Sequence, residues 1–546
     1  MSDLEYQLKE AIKCAFEKAF DQSITLDDIV IEIPKDKSHG DYATNVAMKL
    51  ARILKKSPRD IAEALIAQMD DPVIQRCELA GPGFINFTMN HSAMSTVIDS
   101  VLAEGDNYGH NDSGKGVKIN VEYVSANPTG DLHLGHARGA AWGDSVTRLL
   151  SACNYDVCRE YYVNDAGNQI HALTLSLMAR YAQLFHIEKE MPKDGYLGKD
   201  VALIAERIAE QDKDRWLHED EDTAYAFFRK EGMKQELAKL QRDLDLFRVH
   251  FDVWSSEQQL HDDGQVEKVL HKLNELGQTY EQDDALWFAS SKYGDDKDRV
   301  LRKSDGSYTY LVPDIAYHIT KFERGFDKLV NFWGADHHGY IPRMKAAMQA
   351  LGKNPDQLEV DIIQMVRLVE NKEEIKMSKR TGNAVTVREL CEEVGVDAVR
   401  YFFVQRALDT HLDFDLALAR KQSNDNPVYY AQYAHARICS ILKQAEQFPA
   451  CSNYDRLTDD KEIQLLKYIN EFPAVVADAA KHRAPNKVCN YIQKLAAFFH
   501  SFYNACKVID PSDEELSSQR LALLKATKIT LKNALYLIGV EAADKM

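Results

Sequence analysis

A chain of 546 residues exceeds the roughly 250–300 at which one hydrophobic core stops growing, so two to four domains are expected and a small binding module is excluded. Its 67 Lys plus Arg against 85 Asp plus Glu give a net charge of −18, which opposes a uniform grip on a polyanion or membrane surface. With 45% hydrophobic and 28% charged residues, 26 Gly and 14 Pro, it has the composition of folded soluble protein, neither disordered nor collagen-like.

The chain opens with Leu4, Leu8, Ile12, Ala15 and Phe16 set among charges at helical spacing, an amphipathic helix rather than a signal peptide. No window approaches 18 uncharged apolar residues, so no transmembrane helix is expected. The nine cysteines are scattered with no C-x-x-C, against a disulfide scaffold or thiolate zinc site, and a reducing, cytoplasmic location follows. Residues 1–112 read as a small α/β unit, with a strand ending at Pro34, helices from Tyr42 to Ala67 and a strand over Phe84 to Phe87. SHGDYATN (Ser38 to Asn45) and AGPGFINF (Ala80 to Phe87) place glycines in turns ahead of regular structure. The polar, glycine-rich run from Asn107 to Gly116 is the best early linker.

Alternation at Val117, Ile119, Val121 and Tyr123 marks a strand, followed by a helix from Leu134 to Leu150 and a strand from Asp156 to Val163. This βαβ unit implies a parallel sheet with a ligand crevice at the strands' carboxyl ends. The charged, mostly helical stretch 186–275, with HEDED at His218 to Asp222, reads as an insertion with a solvated face. Strand signals return at Leu329 to Trp333 and Asp361 to Val369, and from Asn426 onward the pattern is that of a helical bundle.

Two motifs carry chemistry. His133, Leu134, Gly135 and His136 spell H-x-G-H at the start of the crossover helix, where Gly135 leaves room for a ligand and the helix end favours an anion through its N–H groups. Both imidazoles could then donate to ATP phosphates as pyrophosphate leaves. A zinc reading lacks a following carboxylate. Some 240 residues on, Lys376, Lys379 and Arg380 crowd into a loop that also holds Met377 and Ser378, ahead of a Thr386/Glu389 capping box. A cationic loop of this kind could clamp a triphosphate.

HLGH and KMSK resemble the ATP motifs of class I aminoacyl-tRNA synthetases; nucleotidylyltransferases resemble only the first and lack a long helical C-terminal domain. The strings VEYVSANPTGDLHLGHARGAAWGD, YYVNDAGNQ, YLVPDIAYH, FWGADHHGY, KMSKRTGN and NPVYYAQYAHAR, with the two N-terminal ones, resemble the arginyl-tRNA synthetase family over essentially the whole chain. The resemblance implies a Rossmann-like parallel-sheet catalytic domain (113–420), an N-terminal α/β tRNA-contacting domain (1–112) and an all-α anticodon-binding bundle (421–546). It implies arginine–tRNA ligase activity, with ATP as substrate, Mg2+ on its phosphates, no zinc or dedicated protein metal site, and tRNA bound before the adenylate forms. A monomer is expected. A synthetase-like RNA-binding protein without catalysis is the competing class, opposed by the survival of every catalytic position.

By the same resemblance, His133, Gly135 and His136 with Lys376, Met377, Ser378 and Lys379 handle ATP, and Asp336, His337 and His338 border the adenosine. Glu122 and Asp314 are the carboxylates expected to hold the substrate's guanidinium, with Tyr310 lining the pocket, Asn127 at the α-amino and carboxylate end, and Asp165 and Gln169 behind. A planar, permanently charged guanidinium fits such fork-like hydrogen bonding. Residues 421–546 hold 16 Lys plus Arg against 14 Asp plus Glu, and Ala479 to Ile509 contains no carboxylate. Lys487, Lys494, Tyr491 and Tyr503 are therefore candidates for RNA contact, most rings in that stretch being core. Asn45 and Phe84 are candidates for a contact to the tRNA corner.

Overall fold

The computed structural model describes residues 3–32, 34, 36, 39–371, 373–375 and 385–546. The chain divides into two compact units: Met1–Ser113 with Gln422–Leu537 and Glu541–Met546, and Gly114–Lys421 with Ile538–Val540.

The second unit is built on five parallel strands, β1 (Lys118–Glu122), β2 (Asp156–Val163), β3 (Val253–Ser256), β4 (Lys328–Gly334) and β5 (Leu358–Ile363). Their order is β5-β4-β1-β2-β3. The chain winds outward from β1 through β2 and β3, then returns to β1's other side with β4 and β5, so a crevice opens between β1 and β4 where the winding reverses. The crossover helix α1 (Leu134–Ala152) packs against this sheet through small residues; a Cβ on Gly143 would enter the Tyr123 ring. Helix α2 (Glu221–Leu246) belongs to the insertion, and helix α3 (Leu311–Glu323) lays Leu311, Val312, Ile315 and Ala316 against Leu329, Met344 and Leu358.

Several expectations change here. The single strand foreseen over Asp361 to Val369 is two: β5 ends at Ile363, and Val366–Glu370 joins a different sheet beside Leu412–Asp415. Arg138 of α1 holds this junction, its Nη1 donating to Gln364 O (2.9 Å) and Thr410 O (2.8 Å) and its Nη2 to Ala407 O (2.8 Å). The insertion is not solvated throughout. HEDED is exposed, but β3 is part of the central sheet, and α2 buries Glu236 and Asp243. Lys239, between those two acids, pairs with Glu236 (2.7 Å), Asp200 (2.9 Å) and Asp131 (3.2 Å).

In the first unit an antiparallel sheet runs Ile31–Glu32, Tyr42–Thr44, Phe84–Met89, Ile74–Ala80. Tyr42–Thr44 had been expected to open a helix; instead Tyr42 pairs with Phe87, and helix begins at Val46. Leu8, Ile12 and Phe16 of the first helix pack with Val46, Ile61, Ile85 and Phe87. Gly40 has φ +84°, and a Cβ there would strike the Phe87 carbonyl, so the turn requires glycine. Among the described residues, 422–537 contain helices and no strand, the longest being Pro427–Gln444, Asn486–Ala505 and Glu514–Leu537.

Candidate active site

The strand β1 ends in backbone strain that re-aims the chain. Val124 and Ser125 have φ of +69° and +39°, a region costly for any residue with a Cβ and worst for a β-branched one. The bend is over-determined: Ser125 Oγ donates to Glu122 Oε1 (3.1 Å) and accepts from Tyr162 N (3.1 Å), and Tyr161 Oη donates to Ala126 O (2.7 Å). It delivers Asn127, whose Nδ2 donates to Gln169 Oε1 (2.8 Å) and whose Oδ1 accepts from Asn164 Nδ2 (3.2 Å). Two residues named separately from sequence thus meet in one exposed amide chain.

His133 caps α1. Its Nδ1 accepts from Gly135 N (3.1 Å) and His136 N (3.4 Å), while His136 Nδ1 accepts from His133 N (3.4 Å). The rings stack with centroids 3.6 Å apart. Burial holds both below the usual histidine range, His136 down to about 3, so both are neutral at pH 7. Because each Nδ1 accepts, the ring proton sits on each Nε2, leaving two Nε2–H donors. This revises the expectation in two ways. The N–H groups of Gly135 and His136 are not free for an anion, because His133 takes them. Gly135 makes room for the His133 ring, which a Cβ there would approach at 3.0 Å.

The flank of the second motif meets the first. Thr386 bridges His133 as an isolated antiparallel pair, and Val387 N donates to Leu132 O (2.8 Å). Thr386 and Glu389 form the capping box foreseen. Arg388, two residues after Thr386, pairs with Asp243 of α2, and Lys239 of α2 with Asp131 beside H-x-G-H. Lys376, Met377, Ser378, Lys379 and Arg380 lie outside the described residues.

Across the crevice, Asp314 and Glu257 are the unusual acids. Burial and the nearby carboxyls Glu257 and Glu122 raise Asp314 to about 7, while Tyr340 Oη donates to its Oδ2 (2.6 Å). Burial also raises Glu257, 6% exposed, to about 7, with Asp165 adding to the shift and the Tyr162 hydroxyl beside it. Neither makes a salt bridge among the described residues. Glu257 and Tyr340 are not candidates from sequence: Tyr340 ends the FWGADHHGY string with no local signal of its role, and Glu257 lies in the charged stretch 186–275, where one more acid reads as solvated surface.

Glu122 is engaged from below. Its Oε2 accepts from Lys321 Nζ (2.7 Å) and Asn331 Nδ2 (3.2 Å), leaving Oε1 with Ser125. Both oxygens of Asp165 are engaged by the protein: its Oδ2 accepts from Ser256 Oγ (2.6 Å) and its Oδ1 from Gln258 N (2.9 Å), so it anchors the helix after β3, beside Glu257. Tyr310 is 66% exposed at the start of α3 and lines no closed wall. Asp336, His337 and His338 form an exposed turn at the carboxyl end of β4, with His337 Nε2 3.4 Å from Asp336 Oδ2.

Among the RNA candidates Tyr491 is corrected. It is buried, its hydroxyl donates to Tyr468 O (2.8 Å), and it stacks on Tyr468, so it belongs to the bundle core. Lys487 pairs with Asp478, which lies one residue outside the acid-free stretch. Lys494 is exposed. Tyr503 is half-buried, with the Arg437 guanidinium 4.3 Å from its ring centre. Tyr429, Tyr433 and His500 continue that half-buried aromatic surface, a feature the sequence reading missed. Asn45 precedes the helix at Val46 with its buried Oδ1 unpartnered, and Phe84 opens a strand half-buried. One trio, His435, Cys439 and Asp544, has metal-like spacing, but His435 Nδ1 is 2.8 Å from the Ala543 carbonyl, to which it must donate, so that lone pair is taken. No described helix is long and apolar enough to cross a membrane.

Three family models match the chain: arginyl tRNA synthetase N terminal domain over 6–89, tRNA synthetases class I (R) catalytic domain over 97–405, and DALR anticodon binding domain over 431–546. An arginine–tRNA ligase of Bacillus subtilis is 58% identical over 99% of this chain and 98% of its own, and one of Halalkalibacterium halodurans 56% over the full length of both. The fold matches that of the Thermus thermophilus arginyl-tRNA synthetase, with TM-score 0.75 and 22% identity over 99% of this chain and 100% of that one. With its catalytic-domain model matched over 97–405 and relatives more than half identical along its whole length, the chain belongs to the arginyl-tRNA synthetase family.

Proposed function

We propose that the arginine–tRNA ligase chemistry of this chain is carried out in the crevice between β1 and β4, with the substrate guanidinium held by Asp314 and Glu257. One observation carries this: the buried Glu257 and the half-buried Asp314 are both raised to about 7 and make no salt bridge among the described residues, where a permanently charged, planar group would complete the site. Tyr340 fixes Asp314, and Glu122 borders the same space through Oε1. The exposed amides of Asn127 and Gln169 receive the α-amino and carboxylate end, and Tyr310 covers the pocket once substrate is present.

Arginine's carboxylate oxygen attacks the α-phosphorus of ATP in line, forming the acyl-phosphate bond as the bond to pyrophosphate breaks. The ribose hydroxyl of the terminal tRNA adenosine then attacks the acyl carbon, and AMP leaves with the bonding pair. Neither step needs a covalent nucleophile from the protein; positioning and charge stabilisation carry the rate. The Nε2–H groups of His133 and His136 donate to the phosphates as negative charge moves onto the leaving group. Lys376 and Lys379, with Met377 and Ser378, supply the cationic side of that task, Asp336, His337 and His338 border the adenosine, and Mg2+ arrives with ATP as part of the substrate. The half-buried Tyr503, Arg437 and Tyr433 surface, with exposed Lys494, receives unstacked RNA bases and phosphates, and Asn45 and Phe84 the tRNA corner. The chain works as a monomer in the cytoplasm.

A bound guanidinium favours ionised Asp314 and Glu257, so arginine binding at pH 7 releases roughly one proton. Titration calorimetry of arginine, in the presence of tRNA and in two buffers of different ionisation enthalpy, measures that release. Binding with no net proton exchange would overturn the assignment.

A further inference from the structure

The floor of the crevice is a row of polar groups on three adjacent strands. In the register of the sheet Glu122 lies beside Glu160 on one side and Asn331 on the other, all on the face covered by α3. Two carboxylates side by side in a buried sheet repel each other. The chain answers with two cations from α3 and the residue after it: Lys321, fully buried, reaches Glu122 Oε2 (2.7 Å), and Arg324 reaches Glu160 Oε2 (2.5 Å). Ser255 Oγ donates to Glu160 Oε1 (2.6 Å), and Asn120 Nδ2 also donates to this carboxylate.

The hydrogen-bond order locks this arrangement. His318 Nδ1 donates to Asp314 O (2.7 Å), so its Nε2 accepts from Asn331 Nδ2 (2.9 Å), which also donates to Glu122 Oε2 (3.2 Å). His318 is held neutral by burial, down to about 4, so it adds no charge. The Lys321 ammonium also sits 4.1 Å from the Tyr317 ring centre. The floor is therefore balanced, two acids against two bases, and the pair without a salt bridge among the described residues is Asp314 and Glu257. Asp314, His318 and Lys321 lie on one stripe of α3 at i, i+4 and i+7, so a single helix face carries a substrate acid and the internal cation.

We propose that Lys321 is a positioning residue for arginine recognition: it takes one oxygen of Glu122 from within, so that only Oε1 is offered to substrate and the vacant positive position falls at Asp314 and Glu257. This rests on the assignment of Asp314 to the substrate guanidinium. Lys321 also acts on the titration of the pocket, because its charge pulls Asp314 down against the upward push of Glu257, Glu122 and burial. The other groups facing Asp314 are the Tyr340 and Tyr162 hydroxyls.

The test compares Lys321→Met, Lys321→Arg and Asp314→Asn in aminoacylation, reading arginine KM, ATP KM and the pH dependence of arginine KM. Lys321→Met is expected to raise arginine KM at least tenfold at pH 7.5 with ATP KM within twofold, and to move the pH midpoint of arginine KM upward. Lys321→Arg keeps the charge, so the midpoint stays while arginine KM rises; it decides alone where Lys321→Met does not fold. Arginine KM within twofold of the parent in the folded variants, a parallel rise in ATP KM, or an unmoved midpoint in Lys321→Met overturns the proposal. If Asp314→Asn also leaves arginine KM unchanged, the pocket assignment itself has failed; if Asp314→Asn raises it and the Lys321 variants do not, only the role of Lys321 has.

Discussion

His133 does two things with one ring: Nδ1 ties down two backbone N–H groups of α1, and Nε2–H is left for phosphate. The two functions separate in His133→Asn, because asparagine is a good N-cap but offers no equivalent of the distant ring N–H. That variant should keep its unfolding free energy within about 0.5 kcal/mol while pyrophosphate exchange slows about 100-fold. A rate close to that of the parent would leave His133 with only the capping role. Asp314 and Glu257 together set the pH behaviour. Since the substrate cation binds the ionised forms, affinity is full well above their free-state value of about 7 and falls by up to about a hundredfold per unit below it, as two protons are taken up. In Asp314→Asn the fall shrinks to the single step of Glu257, up to about tenfold per unit, and arginine KM rises at every pH; an undiminished two-proton dependence in that variant would assign it to another group. What sequence could say at this scale depended on whether a role is local. The Thr386/Glu389 cap is four residues long and legible. The engagement of Asp165 with Ser256, or of Glu122 with Lys321, joins residues 91 and 199 apart and leaves no local trace.

The crossover helix shows how elements constrain the site. Gly139 and Gly143 let α1 lie close on β1 and β5, where a Cβ on the first would meet Ile363 Cδ1 at 2.9 Å and one on the second would enter the Tyr123 ring. Gly143→Ala sets two effects against each other: alanine improves helix propensity by about 1 kcal/mol, but overpacking a filled interior costs about 1–3 kcal/mol. Tyr123 is fully buried and cannot swing aside, so a net loss of stability in urea unfolding is expected; a gain would mean the helix shifts freely. Strand β2 was legible to the residue, because Asn154 before it and Asn164 after it bound an eight-residue strand. The split of Asp361 to Val369 was not, since Gln364 and Met365 carry no breaker. The change of sheet is imposed from outside, by Arg138 on Gln364 O and by pairing with Leu412–Asp415. Strand β3, four residues in a charged stretch, is too short to show a period.

For the whole molecule, net charge was a poor guide and local charge only a partial one. Two stretches without acid in sequence, Ala479 to Ile509 and Leu516 to Val540, acquire acids in the fold: Lys487 pairs with Asp478, Arg520 with Glu462 and Lys532 with Asp106. Exposed Lys481, Lys494 and Lys525 make no salt bridge among the described residues. Replacing all three by alanine should lower the slope of log affinity for tRNA against log salt by about 0.7 for each lysine that meets a phosphate; an unchanged slope would move the RNA to another face. Tyr503→Ala should weaken tRNA binding by about 1–3 kcal/mol with little loss of stability, and Tyr491→Ala should do the reverse, as a ring in the core.

Selection of a guanidinium for activation rests on Asp314 and Glu257, two acids without a salt bridge among the described residues. Pyrophosphate exchange in the presence of tRNA, run with each of the twenty amino acids on the parent chain and on Asp314→Asn, measures it most directly. Exchange driven by arginine alone in the parent, and lost at matched arginine concentration in the variant, is the predicted result; exchange driven equally by lysine or glutamine, or arginine-driven exchange that survives in Asp314→Asn, would contradict it.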